Sequence, residues 1–209
     1  MTASPRVRLD VWSDYVCPFC YLALPQLARL QKEFGDRLAI EWHAFELRPA
    51  PTPTLDPAGD YLRRTWDRAV YPLAAEYGMT LRLPPVQPRS RLALEAAEFA
   101  REHDRFETFH LAVFQAFFED GRDIGDLAVL SELARRSGLD AQALEASLSR
   151  GDYTDLVLHA EDRAEALGIT AVPTLLLRPA AAPIEAAEAL DGAVPFAQLA
   201  AAVRAQLEA

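Results

Sequence analysis

Cys17 and Cys20 are the only two cysteines in this 209-residue chain, and they lie together in Ser13-Asp14-Tyr15-Val16-Cys17-Pro18-Phe19-Cys20-Tyr21. Such a pair can exchange disulfides: one thiolate attacks, and a second thiol resolves the mixed disulfide that forms. Cys17 suits the attacking role. At the first turn of a helix its sulfur would face unpaired backbone N–H groups and the positive end of the dipole, which favour the anion. Cys20, one turn further in and less exposed, suits the resolving role. Pro18 has no N–H to lose and a preset φ, so it fits the first helical turn, while Phe19 supplies an apolar flank. Asp14 stands where a turn cap is expected and near enough to assist proton transfer. A loop this small gains little as a structural staple. Zinc would need two more ligands, and no two of His43, His103, His110 and His159 have the usual spacing, so no metal is expected.

Far along the chain, Val172-Pro173 precedes the apolar run Thr174-Leu175-Leu176-Leu177. A cis peptide there would present the Val172 backbone beside the sulfurs, where an extended substrate could pair with it. Tyr15, Val16, Asp14 and His43 are the candidates for the border of a substrate groove.

The elements that position these residues follow from periodicity. Val7, Leu9 and Val11 alternate with Arg8 and Asp10, a strand ending at the cysteine turn, and Leu24, Leu27, Leu30 and Phe34 then take up helical spacing as far as Gly35. Leu38, Ile40, Trp42 and Ala44 give a second alternating strand. Four prolines between Arg48 and Pro57 mark an exit loop. From Gly59 to Gly168 the pattern is almost wholly helical, broken at Leu83-Pro84-Pro85. Within it Phe106, Phe109, Val113, Phe114 and Phe117 share one face; Leu127, Leu130 and Leu133 form a second stripe, Asp140 is an N-cap, and Leu156, Val157, Ala160, Ala164 and Leu167 form the last stripe. A buried strand follows, then a short strand near Glu188–Leu190 and a closing helix from Phe196 to Leu207. The reading is an α/β chain with residues 1–57 and 169–209 forming a discontinuous thioredoxin-like domain around an all-helical insertion, residues 58–168.

A chain of this length can bury a core without disulfides. Its net charge of −10 opposes contact with nucleic acid or anionic membrane, since phosphate contacts need a basic footprint. No apolar run is long enough to span a bilayer. A soluble, cytoplasmic protein is expected, either monomer or homodimer, and in that compartment a close cysteine pair is more often catalytic than permanent. Gly-x-Gly-x-x-Gly, the phosphate-loop pattern and Gly-x-Ser-x-Gly are all absent.

Together, Asp14-Tyr15-Val16-Cys17-Pro18-Phe19-Cys20-Tyr21, Phe117-Phe118-Glu119-Asp120-Gly121-Arg122-Asp123-Ile124, Gly138-Leu139-Asp140, Val172-Pro173-Thr174 and Asp191-Gly192-Ala193 resemble the FrnE-like branch of the DsbA family of thioredoxin-fold proteins over nearly the whole chain. The resemblance implies a thioredoxin core with a helical insertion and a thiol–disulfide oxidoreductase or isomerase with Cys17 as nucleophile, Cys20 as resolving thiol and Pro173 as the cis-proline. It implies no bound cofactor, glutathione or another thiol as co-substrate, and protein or small-molecule disulfides as substrates. Three departures stand out: Phe19 replaces the tryptophan or histidine usual in relatives, Ala171 replaces a common glycine, and residues 88–93 lack the branch's Asn-Thr-x-x-Ala-His-like segment. The branch also resembles 2-hydroxychromene-2-carboxylate isomerases and kappa-class glutathione transferases, which typically carry serine at the first cysteine. One rival expectation is therefore a glutathione-dependent isomerase or transferase using Cys17 alone. The other is a non-enzymatic peptide-binding or chaperone-like module.

Overall fold

The computed structural model describes residues 5–208. A four-stranded sheet of order β2-β1-β3-β4 is built from β1 (Val7–Ser13), β2 (Leu38–Ala44), β3 (Thr174–Pro179) and β4 (Glu188–Asp191). β2 runs parallel to β1, whereas β3 is antiparallel to β1 and β4 to β3. The parallel β1–β2 pair needs a crossover, and α1 (Pro18–Phe34) supplies it. Gly35 follows at φ 53°, a conformation open to glycine because it has no Cβ.

Between β2 and β3 the chain is helical: α2 (Asp60–Thr65), a π turn (Trp66–Val70), α3 (Tyr71–Glu76), α4 (Arg91–Glu102), α5 (Phe106–Phe118), α6 (Leu127–Arg136), α7 (Ala141–Arg150) and α8 (Thr154–Ala166); α9 (Phe196–Glu208) closes the fold. Asp140 caps α7, its carboxylate accepting from the Gln142 and Ala143 amides at 2.9 and 3.2 Å.

The two faces of the sheet bury different partners. Val7, Leu9 and Val11 pack with Leu27, Leu30 and Phe34 of α1 and with Leu199 and Val203 of α9. Trp12 and Leu176 turn to the other face, into a core shared with α4, α5, α6, α7 and α8, and the Trp12 indole N–H donates to the Ala160 carbonyl of α8 at 3.2 Å. Because β1 is an inner strand covered on both faces, its polar residues Asp10 and Ser13 are buried too, unlike those of a half-solvated strand, while Arg8 near its start stays partly exposed. Asp10 is 1% exposed, bonded to His43 Nε2 at 2.9 Å and Arg178 Nε at 3.0 Å. Burial pushes its carboxyl up, but His43 and Arg178 outweigh that and hold it below its ordinary value.

In the helical block, Phe109, Val113, Phe114 and Phe117 are fully buried. Two positions of the expected stripes are exposed. Leu127 is 36% exposed in the first turn of α6, and Leu156 is 55% exposed because the buried face of α8 runs through Val157 and Ala164, one position round from it.

Candidate functional site

Cys17 is the N-cap of α1, in extended conformation, and Pro18 is its first residue. The Cys17 amide donates to the Asp14 carbonyl at 3.1 Å, and the Cys17 carbonyl accepts from the Cys20 amide at 3.1 Å, so backbone bonds set the sulfur at the helix mouth. The Val172–Pro173 peptide is cis, as is Ala50–Pro51. The Cys17 thiol donates to the Val172 carbonyl at 3.3 Å across 155 residues of sequence. Cys20 is fully buried, and Cys17 is 3% exposed. Burial, followed by the nearness of the Cys17 sulfur, pushes the Cys20 thiol well above its ordinary value, with the Ser13 side chain and the Asp14 backbone opposing. Cys20 thus stays protonated until something takes its proton.

Cys17 opens onto a pocket of about 220 Å³ that Val16, Pro18, Phe19 and Val172 also line. The opposite wall comes from the 45–59 loop through Leu47 and Arg48, and from the helical block through Tyr61, Trp66 and Phe118. Nothing in the spacing around the cysteines points to these wall residues, since they are brought in by tertiary packing. Phe118 reaches the wall from the end of the phenylalanine-rich helix α5.

Asp14, Tyr15 and His43 do not line this pocket. Asp14 is fully buried beneath the turn: its carboxylate accepts from the Val16 amide at 3.2 Å and from the Leu47 amide at 2.7 Å, tying the cysteine turn to the pocket wall. Burial pushes it up to about 6, against the pull of Ser90 and of those two amides and with help from Glu46. Tyr15 points inward because its hydroxyl meets His110 Nδ1 at 2.8 Å and its ring packs on Phe114. His43 turns to Asp10 and stacks on Trp12 at 4.3 Å.

Glu46, the buried neighbour of Leu47, is held as well. The Glu46 amide donates to Glu161 of α8 at 3.2 Å, and Arg91 of α4 bridges Glu46 and Glu161. Burial pushes Glu161 up to about 7, with Arg91 opposing and Glu46 adding to the rise. Two carboxylates with raised values, Asp14 and Glu161, therefore grip consecutive amides at the base of the wall.

Residues 8–204 match the model of the DSBA-like thioredoxin domain. The chain belongs to that family. A relative from Bacillus subtilis (strain 168), the uncharacterized protein YwbO, is 37% identical over 175 residues, 82% of this chain and 86% of its own. The fold is similar to that of a probable DsbA oxidoreductase, SCO1869, from Streptomyces coelicolor, with TM-score 0.77, 26% identity and coverage of 97% of this chain and 90% of that one. It is equally similar to a 2-hydroxychromene-2-carboxylate isomerase, with TM-score 0.77, 20% identity and 96% of each chain. Backbone shape is thus common to redox and isomerase chemistries, and the residues at the helix mouth carry the functional argument. Among the described residues no helix is long and apolar enough to cross a membrane.

Proposed function

We propose that this DSBA-like protein is a thiol–disulfide oxidoreductase that cycles between the Cys17–Cys20 disulfide and the dithiol. The observation that carries the reading is the pair itself: Cys17 at the N-terminus of α1 on a pocket, and Cys20 sealed one turn behind it. In the reductive direction the Cys17 thiolate attacks a substrate disulfide, and one substrate sulfur leaves with the electron pair. Cys20 then loses its proton and attacks the Cys17 sulfur, releasing the second substrate thiolate and leaving both cysteines oxidised. Glutathione or another thiol returns the protein to its starting state by the same two exchanges in reverse. Protein and small-molecule disulfides are the substrates of this proposal, in a reducing, cytoplasmic setting, with Val172 offering backbone to an extended segment. An isomerase or transferase using Cys17 alone has no use for the sealed second thiol.

The test is insulin-disulfide reduction and equilibration with glutathione for the wild type, Cys17→Ser and Cys20→Ser. Cys17→Ser is expected to lose exchange altogether, and Cys20→Ser to stall as a mixed disulfide. Full activity in Cys17→Ser overturns the proposal, and undiminished turnover in Cys20→Ser selects the isomerase reading.

A further inference from the structure

The Cys17 pocket holds a charge that disulfide exchange itself does not use. Among the described residues that line it, Arg48 alone carries a positive charge, and no carboxylate is among them. Arg48 lies in the loop after β2, partly exposed, and its Nη1 donates to the Pro53 carbonyl at 3.4 Å, longer than an ordinary N–H···O bond. That contact sets the guanidinium beside Thr54, which also lines the pocket. Arg89 Nη1 donates to the Arg48 carbonyl at 3.0 Å and so brings a second guanidinium alongside.

Neither arginine is neutralised within the chain. Arg63 of α2 is bonded to Asp60 and Arg91 of α4 to Glu46, whereas Arg48 and Arg89 have no ion-pair partner among the described residues. In a chain of net charge −10, positive charge is thus left over beside the reactive sulfur. The 17-residue helix α1 adds to it, because its N-terminus, the positive end of its dipole, opens onto the same pocket. The other walls are mainly apolar and aromatic, with Thr54, Thr65 and Gln87 as neutral polar groups. An apolar hollow with a few polar groups that fix orientation is the usual build of a site for a small group.

We infer that the Cys17 pocket selects disulfides that carry a carboxylate, which Arg48 binds while Cys17 attacks the sulfur. The inference rests on Cys17 as the attacking thiolate and adds the class of substrate. A guanidinium presents two parallel N–H donors that match the two oxygens of a carboxylate, and such a pair is stronger than a neutral hydrogen bond. The long bond to Pro53 is given up for it. In the exchange the Cys17 thiolate attacks the nearer substrate sulfur, the S–S bond breaks, and the farther sulfur leaves with the electron pair. Arg48 neither gives nor takes a proton. It is a specificity residue, which decides which disulfides lodge against Cys17.

The test mixes the reduced protein at neutral pH with two aromatic disulfides: Ellman's reagent, with a carboxylate on each ring, and 4,4′-dithiodipyridine, which is uncharged. Absorbance follows the initial release from each, and the quantity read is the ratio of the two second-order rate constants. Arg48→Gln is expected to lower that ratio about tenfold, and Arg48→Lys, which keeps the charge without the fork, about threefold. A loosened loop slows both disulfides and cancels in the ratio. A ratio within twofold of wild type in Arg48→Gln overturns the inference. Peptides with a pyridyl disulfide on one cysteine, flanked by Asp or by Asn, identify the source of the carboxylate. A preference for Asp that Arg48→Gln abolishes places it on protein substrates, and equal rates, with the Ellman selectivity intact, place it on small molecules. Undiminished release in Cys17→Ser sinks the reading of Cys17 itself, a result distinct from a loss of selectivity alone.

Discussion

Phe19 is the residue through which the sequence and the structure together make a statement about redox poise. It is partly buried against the core and lines the pocket beside Cys17, with no hydrogen-bonding group to offer the sulfur. A cationic or donor side chain there would stabilise the thiolate, and with it the reduced state, making the disulfide more oxidising. Phe19→His is expected to shift the equilibrium with glutathione toward the dithiol by about tenfold, an interaction of about 1.4 kcal/mol. The check is the fraction reduced in glutathione buffers, read by thiol alkylation. An unchanged equilibrium would show that the pocket insulates the sulfur from position 19. Asp14 gives a prediction of the opposite kind, about stability. Its value in the fold, about 6, lies above its ordinary 3.8, so the folded state binds the proton more tightly than the unfolded chain. Stability from this group is therefore fullest below pH 4 and falls as pH rises from about 4 to 6, by about 3 kcal/mol. Urea unfolding of wild type and Asp14→Asn at pH 4, 5, 6 and 7 tests this. Across that window the wild type should lose more stability than the variant, and parallel pH curves would refute the assignment.

At the scale of elements, the phenylalanine face of α5 is the keystone beneath the cysteine turn. Phe114 is fully buried, with its ring centroid 4.8 Å from Tyr15 and 5.4 Å from Tyr21. Phe114→Ala removes that support and leaves a cavity, so it should cost about 3–5 kcal/mol in chemical denaturation. Leu127→Ala, in the exposed first turn of α6, should change stability by about 0.5 kcal/mol or less. Similar losses in the two variants would contradict the burial pattern. The same elements show what a sequence can and cannot carry. The α1 boundary was legible because Pro18 opens the helix and Gly35 follows it, and α7 because Asp140 caps it. Cys17, Cys20 and Val172-Pro173 were legible because their types and order are chemically restrictive. The pocket wall was not, because Leu47, Tyr61 and Trp66 come from separate stretches of chain whose meeting is set by tertiary packing, with Leu47 and Tyr61 exposed and Trp66 buried. His43 was misplaced for a related reason: β strand alternation gives its face, but the pull of Asp10 across the strand pair is set by register. Ser13 and His110 gave no signal at all. Both residues line one small cavity and each carries a buried polar atom without a partner, a juxtaposition that only the fold creates.

Across the whole molecule, the helical block and the sheet divide in sequence but not in their core. One continuous apolar cluster takes Trp12, Cys20, Tyr21 and Leu176 from the sheet side, and Phe109, Phe114, Leu130, Leu144 and Val157 from α5, α6, α7 and α8. Without the block, the face of the sheet bearing Trp12 and Leu176 would meet water. Without the sheet, the block would lose the rings that pack on Phe114. Because one cluster runs through both parts, the chain should unfold as one cooperative unit despite its inserted topology. The tryptophans report on both parts, Trp12 and Trp42 in the sheet and Trp66 in the helical block. With Trp66→Phe, fluorescence follows the sheet, while far-UV circular dichroism is dominated by the helices. In urea the two signals should trace one transition with a common midpoint. Separate midpoints would mean that the helical block folds independently, and that the wall facing Cys17 can open while the cysteine turn stays in place.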